Sequence, residues 1–167
     1  KPDSCKNEQQ FFLSAAVTIE LIQATFVKGA LFRFKAKGFS MSPFIQDNDV
    51  ITLSPVSRSP IDLGKPVACV CPVHKMLEVH RIVGRKGNHY LIKGDSVPQS
   101  DCLMDKEHIL GCVTAIERGN KTLLLGLGSE RIIIAFLSRK GLLPLIFSFW
   151  RLIPKFLRRL IKCRILS

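Results

Sequence analysis

Acidic residues are scarce in this chain of 167 amino acids: 13 Asp and Glu stand against 25 Lys and Arg, a net charge of +12. Such a surplus points to an acidic partner, whether nucleic acid, an anionic membrane surface or an acidic peptide. Tyrosine and tryptophan are nearly absent, one of each (Tyr90 and Trp150). That leaves no row of rings on which bases would stack and argues against nucleic acid. Long apolar runs are missing as well. Apolar charge-free stretches such as 11–19 and 141–150 fall short of the roughly 20 residues that span a bilayer as a helix. Six cysteines occur without the spacing of a disulfide framework. Cys69-x-Cys71-x-x-His74 matches no common zinc pattern, so its thiols read as reduced, buried small hydrophobes and no metal or cofactor is expected.

What is present is a chain long enough for one ordinary domain, with 47% hydrophobic residues, which excludes a disordered chain. The charge is unevenly placed. Residues 130–167 carry nine basic side chains against the single acid Glu130, a net +8, whereas residues 1–129 carry sixteen against twelve, a net +4. The body is mildly basic and the excess belongs to a tail.

Apolar residues at helical spacing (Leu13, Ala16, Val17, Leu21, Ala24, Val27, Leu31) predict a helix over about 9–31, with Gly29 weakening its end. The period then changes to two: Phe32, Phe34 and Ala36 alternate with Arg33, Lys35 and Lys37, as in a half-buried strand. Further strands are predicted at 50–53, 67–73, 77–83, 90–92, 109–116 and 122–125, separated by Gly, Pro and Asn. One helix followed by closely spaced short strands implies a mainly β fold with a coiled or barrel-like antiparallel sheet. The expected organisation is an N-terminal helical segment (1–31), a catalytic β domain (32–129) and a basic amphipathic helical tail (130–167).

Three segments can carry chemistry. Gly38-Phe39-Ser40-Met41-Ser42-Pro43 sits at a strand end, where glycine lets the chain turn sharply and leaves a hydroxyl exposed. A serine needs a base before it attacks an amide. His80 is available in Glu78-Val79-His80-Arg81-Ile82-Val83, where alternation puts Glu78, His80 and Ile82 on one face. Two carboxylates, Asp95 in Lys93-Gly94-Asp95 and Asp101, flank a loop containing Pro98. A buried carboxylate on the far imidazole nitrogen would fix the tautomer and stabilise the imidazolium.

In this order the segments resemble the type I signal peptidase family. The matching blocks are Gly38-x-Ser40-Met41-x-Pro43, Asp47-Asn48-Asp49-Val50, Val79-His80-Arg81-Ile82-Val83, Lys93-Gly94-Asp95 with Asp101, and Glu107-His108-Ile109-Leu110-Gly111-x-Val113. They cover about residues 32–125. Where most bacterial members carry the lysine of a Ser-Lys dyad this chain has His80, so it resembles the Ser-His branch of the endoplasmic reticulum and archaea, in a compact form with no evident transmembrane anchor ahead of the serine. The resemblance implies a serine endopeptidase with a coiled antiparallel β-sheet core and Ser40 as nucleophile. His80 would be the general base, Asp101 the acid orienting it, and Asp95 a supporting or alternative carboxylate. It also implies that Gly38, Phe39, Met41 and Pro43 contact substrate, with Met41, Phe39 and Phe44 lining pockets for small side chains in a leader or signal peptide. Two departures stand out. Asn48 replaces the usual glycine, a mild change because asparagine tolerates the left-handed backbone, and the Gly-Asp-Asn-Asn loop reads Gly94-Asp95-Ser96-Val97. The alternatives are a catalytically idle membrane-surface or scaffold domain, and a self-cleaving repressor-type protease, which would use lysine as its base.

The tail offers a substitute for an anchor. Phe149, Leu152, Ile153, Phe156, Leu157 and Leu160 fall on one side of a helix and Arg151, Lys155, Arg158, Arg159 and Lys162 on the other, with Pro154 expected to kink or restart it. Residues 141–167 are therefore expected to hold the protein peripherally on an anionic membrane surface. The rival is a helix packed on the protein's own core with a solvated basic face.

Overall fold

A computed structural model describes residues 15–72, 75–97 and 102–152, with 149–152 as backbone only. The chain is mainly β, as the sequence leads one to expect. The strands are β1 (Phe32–Lys35), β2 (Val50–Pro55), β3 (Pro66–Val70), β4 (Leu77–Lys86), β5 (His89–Lys93), β6 (Cys102–Met104), β7 (Ile109–Arg118) and β8 (Lys121–Leu123). Helix α1 (Ala15–Val27) precedes them, and α2 (Arg131–Arg139) and α3 (Leu143–Leu152) follow. All described pairings are antiparallel, in the order β1-β2-β7-β3-β4-β5-β6, and the sheet does not close. The long β7 serves three neighbours. It pairs with β2 along one side, and on the other with β3 near its start and β8 near its end. Register shifts at Thr52/Leu53, Ala68/Cys69 and Ile82/Gly84 add local twist and coil the sheet.

Coiling divides the core. One cluster gathers Ile22 of α1 with Met41, Ile51, Leu53, Val113 and Ile116, and a second gathers Val67, Cys69, Ile82, Ile92, Met104 and Cys112. Helix α1 ends earlier than its spacing predicts. The Gly29 N–H bonds the Phe26 carbonyl and the Ala30 N–H the Thr25 carbonyl, a Schellman-type cap that releases Leu31 before β1. The strand β6 has no counterpart among the sequence predictions, being three residues long. Within the segment read as tail, α2 lies against β4 and buries Ile134, Ala135 and Ser138. Leu143 is buried beside Phe44, and Phe147 meets the Phe44 ring edge-on at 5.8 Å. Helix α3 still leaves Leu145 and Ile146 exposed. The remainder of the tail, from residue 153, lies outside the described residues.

Candidate active site

The turn that carries Ser40 is fastened from two sides. The Gly38 N–H donates to Asp47 Oδ1 at 3.0 Å, and Asn48 takes the left-handed conformation (φ +67) that its place in the turn requires. Asp49, with its side chain 2% exposed, receives Arg118 Nε and Nη2 at 2.8 Å each, and the same guanidinium reaches the carbonyls of Pro43 and Phe44. Burial pushes the Asp49 carboxyl up, but the Arg118 guanidinium and the Gln46 N–H outweigh it and hold the group below its usual range. From the other side, the Ser96 N–H donates to the Ser40 carbonyl at 2.9 Å and the Ser96 hydroxyl to the Phe39 carbonyl. The loop after β5 thus clasps the serine turn.

Gly94 measures how tightly. A Cβ there would lie 2.9 Å from the Ser40 carbonyl oxygen and 3.3 Å from His80 Nε2, so the serine turn, the imidazole and this loop meet at a point that only glycine fits. Ser40, His80, Gly38, Met41 and Val97 line one groove of about 810 Å³, walled by β1 and the first half of β4. No hydrogen bond joins Ser40 Oγ to His80 Nε2. The N–H groups of Ser40 and Met41 make no hydrogen bond to the described residues, while that of Ser42 is engaged by the Phe39 carbonyl.

His80 is four-fifths buried, and its Nδ1 lies 3.4 Å from Glu78 Oε2. Burial pushes its pKa below the ordinary 6.5, although the negative charges of Glu78 and Asp95 pull the other way. The imidazole is therefore neutral at pH 7, the form that accepts a proton. Glu78, on the same strand face, is the carboxylate beside His80. The signal was available in the i, i+2 spacing.

Asp95 is turned elsewhere. Fully buried, it receives Arg81 Nη2 at 2.6 Å and Nε at 2.9 Å, and Arg81 Nη1 goes on to the carbonyls of Gly64 at 2.7 Å and Gly126 at 2.9 Å. Its effect on His80 is electrostatic, with no bond between them. Asp101 lies outside the described residues, as does His74. Of the expected substrate contacts, Gly38 and Met41 line the groove, and Phe39 and Pro43 do not. Phe44 faces the interior, packed on Ile134 and Leu143 with the Arg81 guanidinium 5.2 Å over its ring. Lys93 is buried and donates to the Ser138 carbonyl at 2.8 Å, which commits that cation to α2. Cys69, Cys71 and Cys112 are buried free thiols, and burial pushes Cys69 up to about 12. No family model matches the chain, and a search of curated proteins returns no significant match.

Proposed function

We propose that the chain is a serine endopeptidase of the signal-peptidase type, cutting after small residues in a leader or signal peptide. The observation that carries this reading is the convergence at Gly94, where the Ser40 carbonyl and His80 Nε2 both come within van der Waals reach of a single Cα substituent. A neutral His80 takes the Ser40 proton as the hydroxyl attacks the peptide carbonyl, then returns it to the departing amine. The unengaged N–H groups of Ser40 and Met41 are the donors available to the developing oxyanion, a contribution worth about 10²–10³ in rate per donor in comparable sites. Glu78 favours the imidazolium that forms. Asp95 and Arg81 act one step back, holding the loop whose Ser96 fixes the serine turn.

The exposed apolar residues of α3 and the basic residues beyond it support peripheral attachment to an anionic membrane surface. Incubation with peptides carrying alanine at the first and third positions before the cut tests the peptidase reading. Wild type cleaves, and Ser40→Ala and His80→Ala do not; equal turnover by all three defeats the assigned site. Attachment is tested by cosedimentation with phosphatidylglycerol vesicles. Deleting 153–167 removes five cations, spares the packed Leu143 and Phe147, and is expected to lower binding at least about tenfold.

A further inference from the structure

Two residues beyond His80, β4 begins to line a second cavity, and the two share no lining residue. It measures about 520 Å³ and lies between α2 and the β4–β5 hairpin, within the range of about 300–1,000 Å³ that small-molecule sites occupy. Its apolar wall includes Leu63, Val83, Tyr90, Ile132 and Phe136. Helix α2 buries Ile134 and Ala135 against the sheet yet leaves Ile132 51%, Ile133 65% and Phe136 59% exposed. Three large apolar side chains within five residues of helix form a patch of the kind that marks contact with a partner or with lipid.

Two guanidinium groups edge this cavity. The Arg139 guanidinium approaches β4 at Gly84: a Cβ there would come 3.1 Å from its Nη1 and 3.6 Å from its Cζ, so the glycine beside the Ile82/Gly84 irregularity leaves the space it occupies. The Arg139 side chain makes no hydrogen bond or ion pair among the described residues. Arg85 rests 5.5 Å over the Tyr90 ring and spends only Nε, on the Gly87 carbonyl at 2.8 Å. The one carboxylate in the wall, Asp62, faces Arg131 at 3.7 Å and Lys65 at 3.9 Å. An apolar chamber with unspent cations at its edge is complementary to a molecule with an apolar chain and an anionic head. Residues 153–167 are a poor occupant, because they carry five cations and no acid.

We propose that the cavity between α2 and the β4–β5 hairpin binds an anionic phospholipid, with an acyl chain against Val83, Ile132 and Phe136 and the phosphate at Arg85 and Arg139. The site is distinct from the peptidase groove and from residues 153–167, so each of the three can fail alone.

The test uses the full chain with labelled isoleucine methyls, titrated with monomeric dihexanoyl phosphatidylglycerol below its micelle concentration. Dihexanoyl phosphatidylcholine and glycerol 3-phosphate are the controls. Saturable shifts are expected at Ile82 and Ile132 with phosphatidylglycerol. Replacing both arginines (Arg85→Gln with Arg139→Gln) should weaken binding about 25-fold, since each cation near an anionic lipid is worth a factor of roughly five. Phe136→Asp should abolish it; should that variant fold poorly, the arginine pair, on the surface, still decides. Absence of saturable shifts at Ile82 and Ile132 overturns the proposal, as do shifts confined to the isoleucines of residues 153–167. Equal affinity for phosphatidylcholine, or full saturation by glycerol 3-phosphate alone, overturns it too. Peptide cleavage by the arginine variant is expected to match wild type, which separates this outcome from that of the peptidase reading.

Discussion

His80 and Arg81 are neighbours on β4, and alternation sends them to opposite sides of the sheet. His80 opens on a groove, keeps about a fifth of its side chain exposed, and has a carboxylate at 3.4 Å rather than in a tight bond. Arg81 is wholly enclosed, and each of its three nitrogens donates to a carboxylate or a carbonyl from three separate loops. A buried ion pair is favourable only when its donors find acceptors, and here Gly64 and Gly126 take both donors of Nη1 while Asp95 takes Nε and Nη2. The side that faces the groove is left underbonded. The other side ties together the loops that shape it. Position on a strand, one residue apart, separates an open, loosely bonded side chain from an enclosed, fully engaged one.

The sharpest way to break this contrast is to exchange the effects of the two sides. Ser40→Ala and His80→Ala should each lower kcat/KM at least about a thousandfold in peptide cleavage, with urea unfolding shifted by less than about 1 kcal/mol. A large stability loss in either would make the groove side structural. Arg81→Ala leaves Asp95 charged and buried, and should cost about 3–5 kcal/mol in the same unfolding measurement. The paired replacement Arg81→Met with Asp95→Leu should recover most of that loss, because the uncompensated charge is gone. Recovery of stability without recovery of activity would show that the pair also sets the position of the Ser96 clasp.

A smaller effect separates Glu78 from Asp95. The pKa of His80 is lowered by burial, so activity that depends on the neutral imidazole should rise with pH through a midpoint below 6.5. Glu78→Gln removes a charge that favours the imidazolium, and the midpoint should move further down with kcat reduced no more than about tenfold. An upward shift in the pH profile would contradict the assigned sign. Stability carries the same linkage. Because the folded value is the lower one, His80 costs the fold stability as pH falls from 6.5 through the folded midpoint, and His80→Gln should flatten that part of the pH–stability curve.

How far the sequence reaches can be seen in the same residues. The alternation of Phe32 and Phe34 with Arg33 and Lys35 is enough to find β1, whose partners Leu53 and Ile51 are buried. Glu78 and His80 share a face by simple counting. The partner of Arg81 is another matter. Asp95 lies fourteen residues on, and the pairing exists because Arg81 stands opposite Lys93 across the β4–β5 hairpin, a register no local pattern encodes. The helix α2 is legible as apolar and basic, but Ile132-Ile133-Ile134 does not say which isoleucine turns inward. Only Ile134 does, because α2 rests on β4 along that edge. Phe44 likewise reads as a neighbour of Ser40 lining its pocket and is instead drawn inward by Leu143 and Phe147, about a hundred residues away.

Covalent trapping tests most directly whether Ser40 is a nucleophile made reactive by a neutral His80. The full-length protein is treated with a peptidyl phosphonate bearing alanine at the reactive position, and the labelled peptide is located by fragmentation mass spectrometry. A single adduct on Ser40 is expected, formed faster as pH rises through the His80 midpoint and lost in His80→Ala. An adduct on another residue, or labelling of Ser40 at the same rate with and without His80, would contradict it.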